Sequence, residues 1–279
     1  MNKVNDEDST NQHPLHGRGL GRGVFYRKFG QGKPLIILHG LFGRSDNWNT
    51  IARQFAVQGF EVYTVDLRNH GLSPHSSVWN YQVMSDDILE LINENNLHHI
   101  ILIGHSMGGK VAMQFAIQHP ELLDKLIIVD IAPKYYPPHH KDVLDALNAV
   151  DFNIVKTRKE VEIILSKHIA DFATKQFLLK NIYWKENGVL DWRFNLKVIT
   201  EQIDNVGELT TSATICNVPT LFIRGELSHY IGDDDINSIH AIFPISTVET
   251  IAGAGHWVHA EKPKCFFECV MKFLKPLSA

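Results

Sequence analysis

The chain has little of what marks a secreted, membrane-spanning or nucleic-acid-binding protein. Only three cysteines occur in 279 residues. Cys216 stands alone, while Cys265 and Cys269 lie one helical turn apart, which makes neither a disulfide framework nor a four-ligand zinc set. They read as buried or half-buried thiols of a reducing compartment. Long apolar runs are missing too: Pro34–Leu38 and Ile100–Ile103 are among the longest, well short of the roughly 20 residues a spanning helix needs. Residues Met1–Thr10 are polar and acidic, without the apolar stretch of a secretory leader, so a cytoplasmic location is expected. Lys and Arg number 27 against 31 Asp and Glu, a formal net charge of -4. That balance gives no basic footprint for nucleic acid and no polybasic membrane anchor. No His/Asp/Glu cluster has ligand spacing on one element, so neither metal nor cofactor is expected. The expected partner is a small molecule.

What is present is alternation. Residues 1–23 end in the Gly/Arg stretch Gly17–Gly23, which has no strand before it, does not match the dinucleotide fingerprint, and is expected to be a flexible tail. From there, short β-branched runs alternate with helical patterns, the signature of an α/β protein with a mostly parallel central sheet flanked by helices. The expected strands are Val24–Phe29, Leu35–Leu38, Glu61–Val65, Ile100–Ile103, Leu126–Val129, Thr220–Ile223 and Thr247–Ile251. Helices are expected over Trp48–Gln58, Tyr81–Asn95, Met107–Gln118 and Pro263–Leu274. The alternation breaks between Lys134 and Ile215, where helical patterns such as Asp142–Val150 and Arg158–Ala170 follow one another. This predicts a core of 24–133 and 216–279 interrupted by a helical cap, 134–215. Prolines at both junctions, Pro133 and Pro219 among them, suit such a change of direction.

Gly104-His105-Ser106-Met107-Gly108 is a G-x-S-x-G placed directly after an apolar strand and directly before a helix. A turn this sharp lifts the serine hydroxyl off the sheet edge with a helix N-terminus beneath it. A serine hydroxyl needs a base to take its proton. His256 follows the glycine loop Ala252–Gly255 between the last strand and the last helix, where an imidazole can swing over the sheet edge; His259, nearer the helix, is its rival. The other histidines near the site, His39, His70 and His105, read as hydrogen-bonded framework, and His139 and His140 as cap surface. An oxyanion needs preorganised N–H donors: Met107 for one, and for the other Leu41 in His39-Gly40-Leu41-Phe42-Gly43, with Phe42 in reserve.

The orienting acid is expected after the strand that follows the cap, yet Ser228 stands there. One strand earlier, Asp130 ends the run Leu126–Val129, and a carboxylate in that place needs a partner. Glu226 and Asp233–Asp235 are the alternatives, the acidic run reading more simply as a solvated helix start. The cap aromatics Tyr135, Tyr136, Trp184 and Trp192, with Phe42 and Trp257, are candidates to line a substrate pocket.

Together these segments resemble the small bacterial YbfF-type esterases of the α/β-hydrolase family. The likeness rests on His39–Gly43, Asp66–Pro74, Gly104–Lys110, Val129–Pro133 and Ala252–Pro263, and in the cap on Gln176–Lys180 and Trp192–Asn195. The resemblance implies the α/β-hydrolase fold and a triad of Ser106, Asp130 and His256, with Ser228 near the histidine. It further implies activity on acyl esters and acyl-CoA thioesters. A dehalogenase would need a carboxylate where Ser106 stands. Perhydrolases, C–C bond hydrolases and peptidases keep a serine triad and stay open, as does a non-catalytic small-ligand receptor. The sequence leaves chain length, thioester against oxyester preference and oligomeric state undetermined.

Overall fold

A computed structural model describes residues 23–137, 140–208 and 214–275. The tail expected over residues 1–23 lies, except for Gly23, outside the described residues, as does His139. Strands β1 (Tyr26–Phe29) and β2 (Lys33–Leu38) are followed by helix α1 (Asn49–Val57), β3 (Phe60–Val65), α2 (Tyr81–Glu94), β4 (Ile100–His105), α3 (Met107–Gln118) and β5 (Leu123–Val129). Next come α4 (Lys141–Asn148), α5 (Arg158–Leu165) and α6 (Phe172–Leu179), a hairpin of β6 (Ile182–Trp184) and β7 (Leu190–Trp192), then α7 (Leu196–Glu201) and α8 (Asp204–Gly207). The chain closes with β8 (Thr220–Gly225), α9 (Ile236–Ile242), β9 (Ser246–Ile251), α10 (Val258–Glu261) and α11 (Pro263–Leu274).

Seven strands form one sheet in the order β1-β3-β2-β4-β5-β8-β9. β1 runs antiparallel to β3, and the other neighbours are parallel. Parallel strands covered on both faces read as continuous apolar runs, and β2 and β4 do so because alternate residues serve opposite faces. Ile36, Leu38, Leu102 and Ile128 pack toward α2, α3 and the insertion. Leu35, Ile37, Ile101 and Ile103 pack toward α1 and α11. Each such side chain, fully buried, contributes about 1.5–3 kcal/mol before entropy is counted. β3 and β4 lie on either side of β2, so the chain changes winding direction there, and the crevice above that point is where sheets of this kind hold ligands.

Between β5 and β8 the expected cap is not wholly helical. The three-residue strands β6 and β7 pair across Asn187-Gly188, with Lys185 N–H bonded to Val189 O at 2.8 Å and Gly188 at a φ of 73°. Asn-Gly is the strongest short-range hairpin signal, but strands this short leave almost no periodicity to read. The cap helices begin where side chains satisfy first-turn donors. Thr157 and Glu160 form a capping box on α5, and Asp171 accepts from Thr174 N–H on α6. α5 ends at Leu165 rather than Ala170, where the Ser166 hydroxyl bonds back to Glu162 O at 2.8 Å.

Candidate active site

β4 and β5 are paired to their last residues, His105 opposite Val129. The next residue on each is Ser106 or Asp130, and both have a φ of 53°. The ladder nonetheless runs on through them. Ser106 N–H donates to Val129 O at 3.0 Å and Asp130 N–H to Ile223 O at 2.8 Å. A left-handed conformation at a non-glycine residue is strained and persists where surroundings fix it. Here the neighbouring strand does so. The strand-to-helix turn also requires its glycines: a Cβ on Gly104 would lie 2.3 Å from Gly108 O, and one on Gly108 would lie 2.5 Å from His39 O.

His256 reaches both residues from the loop after β9. Its Nδ1–H donates to Asp130 Oδ2 at 2.7 Å, and its Nε2 meets the Ser106 hydroxyl at 3.0 Å. Asp130 is fully buried, and its carboxylate also accepts from Gly225 N–H at 3.1 Å and from the Ser228 hydroxyl. These bonds satisfy both buried oxygens. Among the other acids considered, Glu226 Oε2 accepts from Gly253 N–H at 2.8 Å, at the base of the histidine loop. Asp233–Asp235 form the mostly exposed turn that leads into α9, as expected of a solvated helix start, with Asp233 and Asp235 ion-paired to Arg224 and Lys134 at 2.7 and 2.6 Å. None of these acids touches His256. Glu261 braces the loop on its other side, accepting from Gly255 N–H at 2.7 Å and Trp257 N–H at 3.1 Å. Tyr230 stacks on the imidazole at 4.0 Å. His259 instead lies buried and stacked on Trp48 at 3.9 Å, and burial lowers its pKa to about 3.

The turn after β2 faces Ser106. His39 accepts from Leu67 N–H at Nε2 (3.0 Å), which leaves Nδ1–H to donate to Gly40 O (2.8 Å). His70 accepts from Phe42 N–H at 3.3 Å and donates from Nδ1 to Arg68 O at 3.0 Å. Both rings are buried, and desolvation lowers His39 to about 4 and His70 to about 3, so both are neutral near pH 7. His105 is buried as well, its pKa pushed well below the ordinary value first by desolvation, and its Nε2–H donates to His256 O at 2.9 Å. Because Phe42 N–H is taken by His70, it is unsuited to a second role. Leu41 N–H has no acceptor among the described residues. Met107 opens α3, so its N–H has no acceptor inside that helix.

A cavity of about 780 Å³ opens over Ser106 and His256. Leu41, Phe42, Val143, Phe177, Leu178 and Trp257 give it mainly apolar walls. The expectation for the cap aromatics needs correction. Tyr135 and Trp184 are 57% and 61% exposed and do not line this cavity. Trp184 ends an edge strand of the hairpin, and Tyr135 sits at the cap junction. Trp192 is buried cap core, stacked on Phe194. Tyr136 serves the junction, where its hydroxyl donates to Tyr230 O at 2.6 Å and accepts from Ala132 N–H at 2.8 Å. His140, expected on the surface, lines the cavity. Tyr230, Glu261, Phe177 and Asn181 were not singled out from the sequence. Two of them stand in segments that carry the family likeness, Glu261 in Ala252–Pro263 and Phe177 in Gln176–Lys180, whereas Tyr230 and Asn181 stand in none. Among the described residues no cluster of His, Cys, Asp or Glu could hold a metal ion, and no helix is long and apolar enough to cross a membrane.

A seven-stranded sheet of this order, with a serine at the β4–α3 turn and a histidine after the last strand, defines an α/β hydrolase, and the chain belongs to that family. Residues 33–162 match the family model for the alpha/beta hydrolase fold. The sn-1-specific diacylglycerol lipase ABHD11 of Danio rerio is 37% identical over 254 residues, 88% of this chain and 80% of that one. Esterase YbfF of Escherichia coli (strain K12) is 37% identical over 243 residues, 86% of this chain and 92% of its own length. Among solved structures, a marine microorganism esterase superposes with a TM-score of 0.88 at 45% identity, covering 91% of this chain and all of that one.

Proposed function

We propose that this chain is a serine hydrolase that cleaves carboxylic esters, acyl thioesters among them, through an acyl-enzyme. The observation that carries the reading is the continuous hydrogen-bonded path from the Ser106 hydroxyl through His256 to buried Asp130, opening on an apolar cavity. Ser106 Oγ attacks the acyl carbonyl as His256 Nε2 takes its proton, and Asp130 holds the imidazole in the required tautomer and stabilises the imidazolium. The tetrahedral oxyanion is held by Leu41 and Met107 N–H. Collapse expels an alkoxide or thiolate, which takes the proton from His256. Water then attacks the acyl-enzyme with His256 as base, and the carboxylic acid leaves.

The family relatives named as esterase and lipase support the reaction class, and the cavity's size falls within the range of ordinary ligand pockets, roughly 300–1,000 Å³. An oxyester and a thioester differ at the leaving group and share the addition step, so one site serves both. The test is a rate survey of the purified protein over p-nitrophenyl esters and acyl-CoAs of graded chain length. Turnover of both series is the expected result. Failure on acyl-CoAs alone restricts the reading to oxyesters, and failure on both removes it.

A further inference from the structure

The turn that faces Ser106 is stabilised from the cap. Gly43 N–H donates to Gly40 O at 2.9 Å, closing a four-residue turn with Leu41 and Phe42 at its centre. Phe42, the third residue, has a φ of 59°. A turn of this shape ordinarily places glycine or asparagine there, since a large side chain in the left-handed region is strained. Such strain survives only where neighbours over-determine the conformation. Three contacts do so. On the core side, His70 accepts Phe42 N–H at 3.3 Å. From the cap, Phe194 packs on the Phe42 ring at 5.0 Å, and Asn181 Nδ2–H donates to Phe42 O at 2.9 Å.

We propose that Asn181 is a positioning residue for the reaction, holding the Leu41–Phe42 turn from the cap so that Leu41 N–H stays aimed at the developing oxyanion. The assignment rests on the serine-hydrolase reading above. Asn181 follows α6 by two residues and is 2% exposed. Its NH2 group faces two carbonyls, Phe42 O and, at 3.4 Å, Phe177 O, which fixes the orientation of the amide. Its Oδ1 is buried with no partner among the described residues. An orphaned buried acceptor destabilises a fold. Leucine, of nearly the same shape, would remove that penalty but leave buried Phe42 O without its donor, so the two changes largely offset and the amide is a weak source of stability. Its NH2 group does one thing leucine cannot do: it ties Phe42 O to Phe177 O. Phe177 belongs to α6 and lines the substrate cavity against Trp257. One side chain therefore links the cavity wall to the oxyanion turn, and a displaced cap slackens the N–H donor without touching Ser106 or His256.

The experiment compares Asn181→Leu, Asn181→Ala and Ser106→Ala with the unmodified protein, using a short p-nitrophenyl ester and a trifluoromethyl ketone that adds to the serine as a tetrahedral adduct. Deleting an oxyanion donor outright costs about 10²–10³ in kcat. A donor merely left loose is expected to cost roughly tenfold to a hundredfold. In Asn181→Leu, kcat should fall by that factor with KM little changed, and affinity for the ketone should fall in parallel. The pH profile should be unmoved, and the melting temperature should stay within a few degrees of that of the unmodified protein, since removing the orphaned Oδ1 offsets the bond lost at Phe42 O. Asn181→Ala carries the same kinetic test should the leucine variant not fold. Either folded variant with kcat within about twofold of normal, or a kcat loss without a matching loss of ketone affinity, overturns the assignment. If Ser106→Ala is inactive while the Asn181 variants are unimpaired, this inference alone falls. If Ser106→Ala stays active, the serine-hydrolase reading falls with it.

Discussion

The core and the cap are stabilised in different ways, and they contribute different things. Ser106 and Asp130 end neighbouring parallel strands, with their own N–H groups tied into the ladder and their side chains meeting one imidazole. Cap helices α4 to α8 have eight residues or fewer and carry exposed Ile163, Phe172 and, outside the helices, Ile154. Short elements with much exposed surface open locally at lower cost than the centre of a parallel sheet. The comparison teaches a division of labour. Under the proposed reaction, the reacting groups sit where the strand ladder holds the backbone, and the residues that would surround an acyl group sit on shorter, more exposed elements. Changes at the strand ends should therefore abolish turnover on every substrate, whereas changes in the cap should alter which substrates are accepted.

The sharpest break would come at Ser106. Ser106→Ala is expected to lower turnover about a millionfold without loss of fold; a folded variant keeping a tenth of the rate would place the nucleophile elsewhere. Next in size is Asp130→Asn, expected to cost about ten-thousandfold, because an amide favours the wrong imidazole tautomer. Ser228→Ala removes one hydrogen bond to that carboxylate and should cost nearer tenfold. Adding Ser228→Asp to Asp130→Asn should restore part of the activity, since the new carboxylate stands beside the lost one. Near-normal turnover in Asp130→Asn, with loss instead in Glu226→Gln, would move the acid.

In the cap, Phe177→Trp fills part of the cavity. It should lower kcat/KM for the longer acyl esters roughly tenfold relative to acetate. A uniform loss across chain lengths would contradict the division of labour. The smallest effect concerns His259 and is read in acid. His39, His70 and His259 have folded pKa values lowered to about 4, 3 and 3 by burial, against about 6.5 when unfolded. Below pH 6.5 the unfolded chain binds protons that the folded chain refuses. Their contribution is thus complete above pH 6.5 and falls as pH drops, toward 4 for His39 and toward 3 for His70 and His259, by about 1.4 kcal/mol per pH unit for each histidine. His259→Phe keeps a ring on Trp48 and should flatten the acid limb of a stability-against-pH curve by one histidine's share, with turnover within a few-fold of normal. An unchanged limb would mean that His259 is already accessible to protons.

How much was legible follows the same boundary. Ser106 and Asp130 could be singled out because each adjoins a strand of apolar residues, and His256 because a glycine loop precedes it; the structure places the three in hydrogen-bond contact. The preference for Leu41 over Phe42 gains its physical reason only in the structure, because the bond from Phe42 N–H to His70 spans 28 positions. In the cap, residue type misled. Tyr135 and Trp184 are aromatic but face solvent, whereas Phe177, marked only by its place in Gln176–Lys180, lines the cavity, and Asn181, with nothing local to mark it, faces the turn. The hairpin turn Asn187-Gly188 was visible in the sequence, yet strands of three residues lack the alternation that would have announced them.

The central claim is that Ser106 carries the acyl group, and intact-protein and peptide mass spectrometry after fluorophosphonate labelling tests it most directly. One adduct per chain, on the peptide holding Ser106, with loss of esterase activity in proportion and no adduct in His256→Ala, is the predicted result. An adduct on another serine, or turnover surviving complete labelling of Ser106, would contradict the account.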